Sequence, residues 1–133
     1  MRVFVDSSAF LALINSNDQN HEIAKRIWEK LLQENSHQLF CSSYVVVETT
    51  AILQNRFGMQ AVILFQQNVL PVFETLFVDE ATHETAVAVL LNANRRQLSL
   101  VDCSSFVLAR QLAVDAVFAF DQHFVEQGFV CLR

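Results

Sequence analysis

Short apolar runs alternate with longer amphipathic segments along the whole of this 133-residue chain. The first run, Met1–Val5, precedes a helical pattern at Ser8–Ile14, and the last two runs are Ala116–Phe120 and Phe129–Leu132. Strands separated by helices pair in parallel through right-handed crossovers, and the helices then cover both faces of the sheet. The alternation therefore predicts an α/β fold with a mostly parallel sheet.

The segments between these ends are predicted from their periodicity and their boundary residues. Asn20–Asn35 places apolar residues at helical spacing opposite charged ones, with Asp18 or Asn20 as the N-terminal cap. The valines of Val45–Val47 also fit a strand, but the length of the pattern and the stop at Gly58 favour a helix. The other predicted elements are the strands Leu39–Ser42 and Val72–Val78 and the helices Tyr44–Phe57, Met59–Leu70, Glu80–Asn94 and Cys103–Val114, the last capped by Asp102.

Length and composition favour a single domain spanning residues 1–133. The 53% hydrophobic content supplies a continuous core. Polar residues interrupt every apolar run before the roughly 18 residues that a membrane span needs, and Asp6 ends the first run too early for an export signal. Three cysteines without CxxC spacing are typical of reduced thiols. We expect a cytoplasmic protein with no membrane association.

Four acidic residues stand where such a sheet would bring them together. Asp6 and Asp121 directly follow apolar runs, and the carboxyl ends of parallel strands line the binding crevice of an open sheet. Asp102 at a helix start and Glu48 on a helix can lean into the same crevice. Carboxylates crowded together without cations repel one another, and their oxygens suit Mg²⁺ or Mn²⁺. The pattern predicts metal-assisted hydrolysis of a phosphodiester.

Each acid also has a purely structural reading. Asp102 can serve only as a helix cap, Asp121 as a turn residue, and Asp6 as the cap of the following helix. Glu48 can be solvated, although the apolar residues on both sides of it argue against an ordinary surface position. A structural role is also favoured for His123, which lies two residues after Asp121.

Serines flank two of the acids at predicted helix starts. Their hydroxyls can orient carboxylates, water or phosphate oxygens, and N-capping explains Ser8 and Ser105 equally well. The serines in question are Ser7, Ser8, Ser104 and Ser105.

The formal net charge of −5 argues against a broad basic surface that binds nucleic acid by phosphate neutralisation alone. Local compensation can come from bound divalent cations or from arginines, although the arginines can equally be scattered solvated charges. The arginines considered are Arg56, Arg95, Arg96 and Arg110.

Four motifs around the acids give the sequence a resemblance to the PIN-domain family, and in particular to the VapC-type ribonuclease toxins of bacterial toxin–antitoxin pairs. Their order along the chain is the family's order, and together they cover essentially its whole length. The motifs are Val3-Phe4-Val5-Asp6-Ser7-Ser8-Ala9-Phe10, Ser43-Tyr44-Val45-Val46-Val47-Glu48-Thr49, Leu98-Ser99-Leu100-Val101-Asp102-Cys103-Ser104-Ser105-Phe106 and Val117-Phe118-Ala119-Phe120-Asp121-Gln122-His123-Phe124.

The resemblance implies a three-layer α/β/α sandwich with a parallel sheet of about five strands. It further implies an endoribonuclease that depends on Mg²⁺ or Mn²⁺, frequent homodimerisation, and an antitoxin whose C-terminal segment covers the site. Carried over by position, the acidic quartet that holds the metal is Asp6, Glu48, Asp102 and Asp121, with Ser8 and Ser105 as supporting hydroxyls. The acidic net charge predicts a selective or weakly bound RNA substrate rather than indiscriminate degradation.

Other α/β families with an aspartate after the first strand fit less well. A haloacid dehalogenase phosphatase would have an aspartate where Ser8 stands, and a response-regulator receiver would have a lysine beyond Lys30. Gly58 and Gly128 are the only glycines, which excludes a glycine-rich phosphate loop. The alternative from another class is a non-catalytic PIN-like module that binds RNA or protein as an adaptor.

Overall fold

The computed structural model describes residues 1–133 and contains four strands, all parallel, in the spatial order β3-β2-β1-β4. Phe4 of the central strand β1 is paired with Phe40 of β2 and with Val117 of β4. Helices cover both faces of this sheet and complete the α/β/α sandwich. The strands are β1 (Arg2–Val5), β2 (Gln38–Ser42), β3 (Glu74–Leu76) and β4 (Ala116–Phe118).

Seven α-helices connect and flank these strands. The helices α1 and α3 begin directly after β1 and β2, so both start at the same edge of the sheet. None of the helices combines the length and apolar character needed to cross a membrane. The helices are α1 (Ser7–Ile14), α2 (His21–Gln33), α3 (Ser43–Phe57), α4 (Met59–Leu64), α5 (Glu80–Ala93), α6 (Leu100–Gln111) and α7 (Gln122–Glu126).

The sheet has one strand fewer than the sequence predicted. Phe129–Leu132 forms only an isolated parallel bridge between Cys131 and Val117, supported by backbone hydrogen bonds on either side of it. Val130 in this segment is 66% exposed, so little apolar burial favours an extended edge strand here. The predicted strands Val72–Val78 and Ala116–Phe120 are also shorter, because only Glu74–Leu76 and Ala116–Phe118 pair with a neighbour.

Two predicted helices differ from the observed ones by three residues or more at an end, whereas the others differ by one or two. The helix predicted over Met59–Leu70 changes at Phe65 into a π-helical turn and then into a 3₁₀ turn, where Pro71 has no N–H for an α-helical bond. The helix predicted over Cys103–Val114 begins three residues earlier at Leu100 and ends at Gln111, two residues before Ala113 adopts a positive φ of 50°. The short helix α7 was not predicted.

Aromatic side chains fill much of the core. Phe10 of α1 packs edge to face against Phe65 and Phe73, with ring centroids 5.0 and 5.1 Å apart, and Trp28 stacks on Phe73. Phe10 is fully enclosed, with 1% of its surface exposed. Because α1 begins next to Asp6, this packing also fixes the helix that carries Ser7 and Ser8.

We expect Phe10→Ala to lower the free energy of unfolding by about 3–5 kcal/mol, because it removes buried apolar surface and leaves a cavity between packed rings. Denaturant unfolding monitored by circular dichroism measures the change. Phe77→Ala is the matched control, since Phe77 is 82% exposed, and its effect should stay within about 0.5 kcal/mol. Equal losses in the two variants would contradict this account of the core.

Candidate active site

The four predicted acids converge at the edge of the sheet where the parallel strands end. Asp6 follows β1 directly and is the N-terminal cap of α1, Glu48 lies in the second turn of α3 after β2, and Asp121 follows β4 and caps α7. Asp102 reaches the same place from the first turn of α6. Their charges act on one another, since Asp102 influences the pKa values of both Asp6 and Glu48.

Asp6 is the most enclosed acid, with only 2% of its surface exposed. Its Oδ2 accepts hydrogen bonds from the backbone N–H and the hydroxyl of Ser8, at 3.1 and 2.7 Å. The Ser8 hydroxyl in turn accepts a hydrogen bond from the backbone N–H of Phe120 at 3.0 Å. Ser8 therefore ties the end of β1 to the segment after β4, and it leaves Asp6 Oδ1 buried without a hydrogen-bond partner.

Glu48 is held by the other serine of the first motif. The hydroxyl of Ser7, the first residue of α1, donates a hydrogen bond to Glu48 Oε1. Glu48 is half-buried, so the structure excludes the fully solvated position that its sequence context already argued against. The contact joins α1 to α3 and orients one oxygen of this carboxylate.

Asp102 does not open α6 as the sequence predicted. The N-terminal cap is Ser99, whose hydroxyl accepts a hydrogen bond from the Asp102 backbone N–H at 3.0 Å, while Asp102 Oδ2 accepts the Ser99 N–H at 3.1 Å. This reciprocal capping box uses one carboxylate oxygen and fixes the side chain. The signal was present in the sequence as Ser99 followed three residues later by an acid.

Asp121 and His123 complete the arrangement. Asp121 Oδ1 accepts the backbone N–H of His123 at 2.9 Å, and the His123 Nε2 atom lies 3.7 Å from that same oxygen. One possible ligand atom from each of Asp102, Asp121 and His123 lies within 4.8 Å of the others. His123, for which the sequence favoured only a structural role, is therefore part of this group.

Ser105 differs from Ser8 in its contacts. It is completely buried on α6, and its hydroxyl has no hydrogen-bond partner. Its supporting role at the site stays a prediction.

Burial is the main cause of the raised pKa values of Asp6, Glu48 and Asp102. It raises the pKa of Asp6 from 3.8 to about 7; the neighbouring charges of Asp102 and Glu48 act in the same direction, and the Ser8 hydrogen bonds oppose them. Burial also raises the pKa of Glu48 and of Asp102, in each case with a contribution from the charge of Asp121. No lysine or arginine forms an ion pair with any of the four acids.

These features fit a divalent cation. A buried carboxylate oxygen without a partner, next to further acids that pair with no lysine or arginine, is a costly arrangement in the absence of positive charge. Carboxylate oxygens are the ligands that Mg²⁺ and Mn²⁺ prefer. Asp102, Asp121 and His123 form the group whose ligand atoms lie close enough together to hold such an ion, and the carboxylates of Asp6 and Glu48 lie near this group.

The fold and the sequence were compared with known proteins. The PIN domain family model matches residues 3–130. The 23S rRNA-specific endonuclease VapC20 of Mycobacterium tuberculosis is 31% identical over 132 residues, which cover 98% of each chain. The VapC ribonuclease of Aquifex aeolicus is 22% identical over 129 residues, covering 94% of this chain and 91% of that protein.

Solved structures give the same result. The crystal structure of Mycobacterium tuberculosis VapC20, described as a sarcin–ricin loop cleaving toxin, matches with a TM-score of 0.84 at 30% identity over 96% of both chains. VapBC2 from Rickettsia felis, bound to a DNA fragment from its promoter, matches with a TM-score of 0.73 at 12% identity, over 98% of this chain and 97% of that one. The second likeness concerns the fold alone. With its family match, its similarity to VapC20 and this arrangement of acids, the chain belongs to the PIN-domain family.

Proposed function

We propose that this protein is a VapC-type endoribonuclease that depends on Mg²⁺ or Mn²⁺ and hydrolyses RNA phosphodiester bonds in the cytoplasm. The observation that carries the proposal is the burial of Asp6 beside Glu48 and Asp102 without any paired lysine or arginine. A protein that kept these acids together for no purpose would bear their desolvation and repulsion at a net loss. The names of the relatives, an endonuclease and a ribonuclease, support the reaction class.

Each residue has a defined part in this proposal. A bound divalent ion would supply Lewis acidity toward water and a phosphate oxygen. Asp6, Asp102 and Asp121 would hold the ion, and the hydrogen bonds of Ser8 and Ser99 fix the carboxylates of Asp6 and Asp102 so that each keeps an oxygen for the site. Ser7 fixes the Glu48 carboxylate at the other side. Addition of water across the P–O3′ bond leaves a 5′-phosphate and a 3′-hydroxyl.

The proposed substrate class rests on the similarity to VapC20. VapC20 is specific for 23S rRNA and cleaves the sarcin–ricin loop, so we propose an unpaired loop of a structured RNA as the substrate class here. The acidic character of the chain supports a selective substrate, because sequence-independent affinity for phosphate would need a basic surface.

We expect Asp6→Asn to abolish cleavage of a sarcin–ricin loop hairpin in Mg²⁺ or Mn²⁺, with at least a hundred-fold loss of kcat/KM, because the ion loses its most buried anionic ligand. Gel analysis of end-labelled RNA measures the rate, and EDTA should have the same effect. Asp79→Asn is the matched control, since Asp79 caps α5 as Asp6 caps α1 but lies outside the quartet.

Full activity of Asp6→Asn would refute this site. If the wild-type protein binds RNA but cleaves none of a varied panel of structured RNAs with metal present, the non-catalytic adaptor becomes the better explanation.

The raised pKa of Asp6 makes the stability of the metal-free protein depend on pH. Well below pH 4 the carboxyl is neutral in both the folded and the unfolded protein. Between about pH 4 and 7 only the folded protein keeps the proton, so the free energy of unfolding falls across this range and levels off above about pH 7. A difference of about three pH units corresponds to about 4 kcal/mol. In EDTA, Asp6→Asn should therefore gain stability relative to wild type between pH 5 and 8.

Urea unfolding of both proteins at each pH measures that difference, and subtraction removes the contributions of the other titrating groups. Addition of Mg²⁺ at pH 8 should stabilise the wild type more than the variant. If the difference in stability between the two proteins does not change with pH, burial in the folded protein does not disfavour the ionised form of Asp6, and this account is wrong.

The proposed partners are an antitoxin and a second copy of the chain. An antitoxin would inhibit by placing a basic side chain among the carboxylates, where it would replace the charge of the metal. We expect a co-purified antitoxin to suppress cleavage and to lose affinity for Asp6→Asn relative to Asp79→Asn, as titration calorimetry measures. An antitoxin that binds without changing the cleavage activity would refute the proposed mode of inhibition. Light scattering of the protein without antitoxin measures its mass and so tests the proposed homodimer.

A further inference from the structure

A cleft of about 260 Å³ opens directly beside the acidic quartet, on the side of Asp121. Ser8 and Asp121 form its border with the site, and Arg56 and Phe57 at the end of α3 form part of its opposite wall. The cleft therefore continues the site on the surface. A chain-like ligand bound at the carboxylates can therefore extend its neighbouring unit into this cleft.

Arg56 is the only basic residue that lines the cleft, and it is exposed without an ion pair or a hydrogen bond to any other side chain. Arg95 pairs with Glu126 at 2.8 Å, and Arg110 binds Gln127 and covers the ring of Phe129. Arg96 is exposed and does not line the cleft. Arg56 is thus a cation without an ion pair next to the quartet, in a cleft that the carboxylates of Asp18 and Asp121 also line. Its guanidinium suits a phosphate oxygen.

The rest of the wall suits a nucleobase. Phe57 is 45% exposed, and Phe120 also lines the cleft and is only partly buried. Exposed rings give bases a surface for stacking whatever the sequence. The side-chain amide of Asn20 lines the cleft and makes no hydrogen bond within the protein, so it is available to a base edge.

We propose that this cleft binds the nucleotide adjacent to the scissile phosphate, with Arg56 on a backbone phosphate and Phe57 against the base. This inference rests on the proposed function, because RNA reaches the cleft by lying across the carboxylates. Arg56 and Phe57 are positioning residues, since neither contacts the reacting atoms. Arg56 also lies in the last turn of α3, where its positive charge interacts favourably with the helix dipole. Replacing it can therefore lower the stability of the helix, and the test must separate this effect from a loss of RNA binding.

The first experiment measures binding without cleavage. A fluorescent sarcin–ricin loop hairpin is titrated with Asp6→Asn protein in Mg²⁺ at several salt concentrations, alone and combined with Arg56→Gln, Arg56→Lys or Arg26→Gln. We expect Arg56→Gln to raise Kd about ten-fold at low salt and to reduce the salt slope by about 0.7, the value for one single-strand phosphate contact. Arg56→Lys should restore part of both.

Arg26→Gln is the matched control, because it removes the same charge from α2 at a separate cleft shared with Arg133. It should change Kd less than two-fold. In the wild-type background, Arg56→Gln should raise KM while kcat stays within about three-fold. A loss of helix stability alone would alter neither the salt slope nor KM at temperatures where the protein is folded.

The second experiment addresses the base. Phe57→Leu should weaken binding of the hairpin about ten-fold through lost stacking, whereas Phe77→Leu should not. Replacing the nucleotide next to the cleavage position by an abasic one should remove the difference between Phe57→Leu and the parent protein.

Three results would each overturn the subsite: Arg56→Gln and Arg26→Gln change Kd equally, Arg56→Gln leaves the salt slope unchanged, or the hairpin does not bind. If wild type cleaves, Asp6→Asn does not and Arg56→Gln is unaffected, the proposed function stands and the subsite fails. If wild type cleaves no RNA but binding depends on Arg56 and Phe57 as expected, the subsite stands and the proposed function fails.

Discussion

Parallel pairing of β1 with both β2 and β4 decides where the chemistry of this chain can lie. The next strand in sequence, β2, adds on one side of β1, and the last strand, β4, adds on the other. A crevice forms at such a reversal, outside the carboxyl ends of the strands. Asp6 stands at the end of the central strand, and the segments that follow its two neighbours carry Glu48 and Asp121. Acids separated by more than a hundred residues therefore meet because of strand order.

The same arrangement opposes stability at the site. Asp6 follows the fully buried residues Val3–Val5 of β1, so its carboxylate loses hydration without gaining a cationic partner. The aromatic core next to it, formed by Phe10, Phe65 and Phe73, holds α1 in place and prevents the acids from moving apart. Packing thus maintains a cluster that electrostatics alone would disperse. A bound cation would relieve the repulsion between the carboxylates, and this relief would add to the affinity for the ion, as expected of a preorganised metal site.

Local sequence patterns predicted the parts of the fold that depend on local physics. The apolar run before Asp6 and the amphipathic face of Asn20–Asn35 specify a strand and a helix almost without tertiary help. The apolar composition of Phe129–Leu132 predicted a strand. In the structure this segment pairs with β4 at only one residue, Cys131, and a strand needs continuous pairing with a neighbour.

Contacts between distant segments set the limit of prediction at the site. That Ser7 binds Glu48, and that Ser8 binds both Asp6 and the Phe120 backbone, depends on how α1 packs against α3 and β4. Periodicity carries no information on such contacts. The role of Ser99 is different, because the capping box with Asp102 is local and was readable from the sequence. His123 could be recognised only after α7 was known to place it beside Asp121.

The surroundings of the quartet are chemically unequal on its two sides. On the side of Glu48, a cleft of about 380 Å³ is lined by Tyr44, Val47 and Val101 and offers almost no polar surface apart from the carboxylate. On the side of Asp121, the cleft contains Arg56, amides and aromatic rings, together with the carboxylate of Asp18. A phosphate backbone has a cation to approach on only one of these sides. An RNA strand crossing the acids would therefore be held by its phosphates more firmly on the side of Asp121, and in a chain of net charge −5 this local contact, rather than overall attraction, would position the RNA.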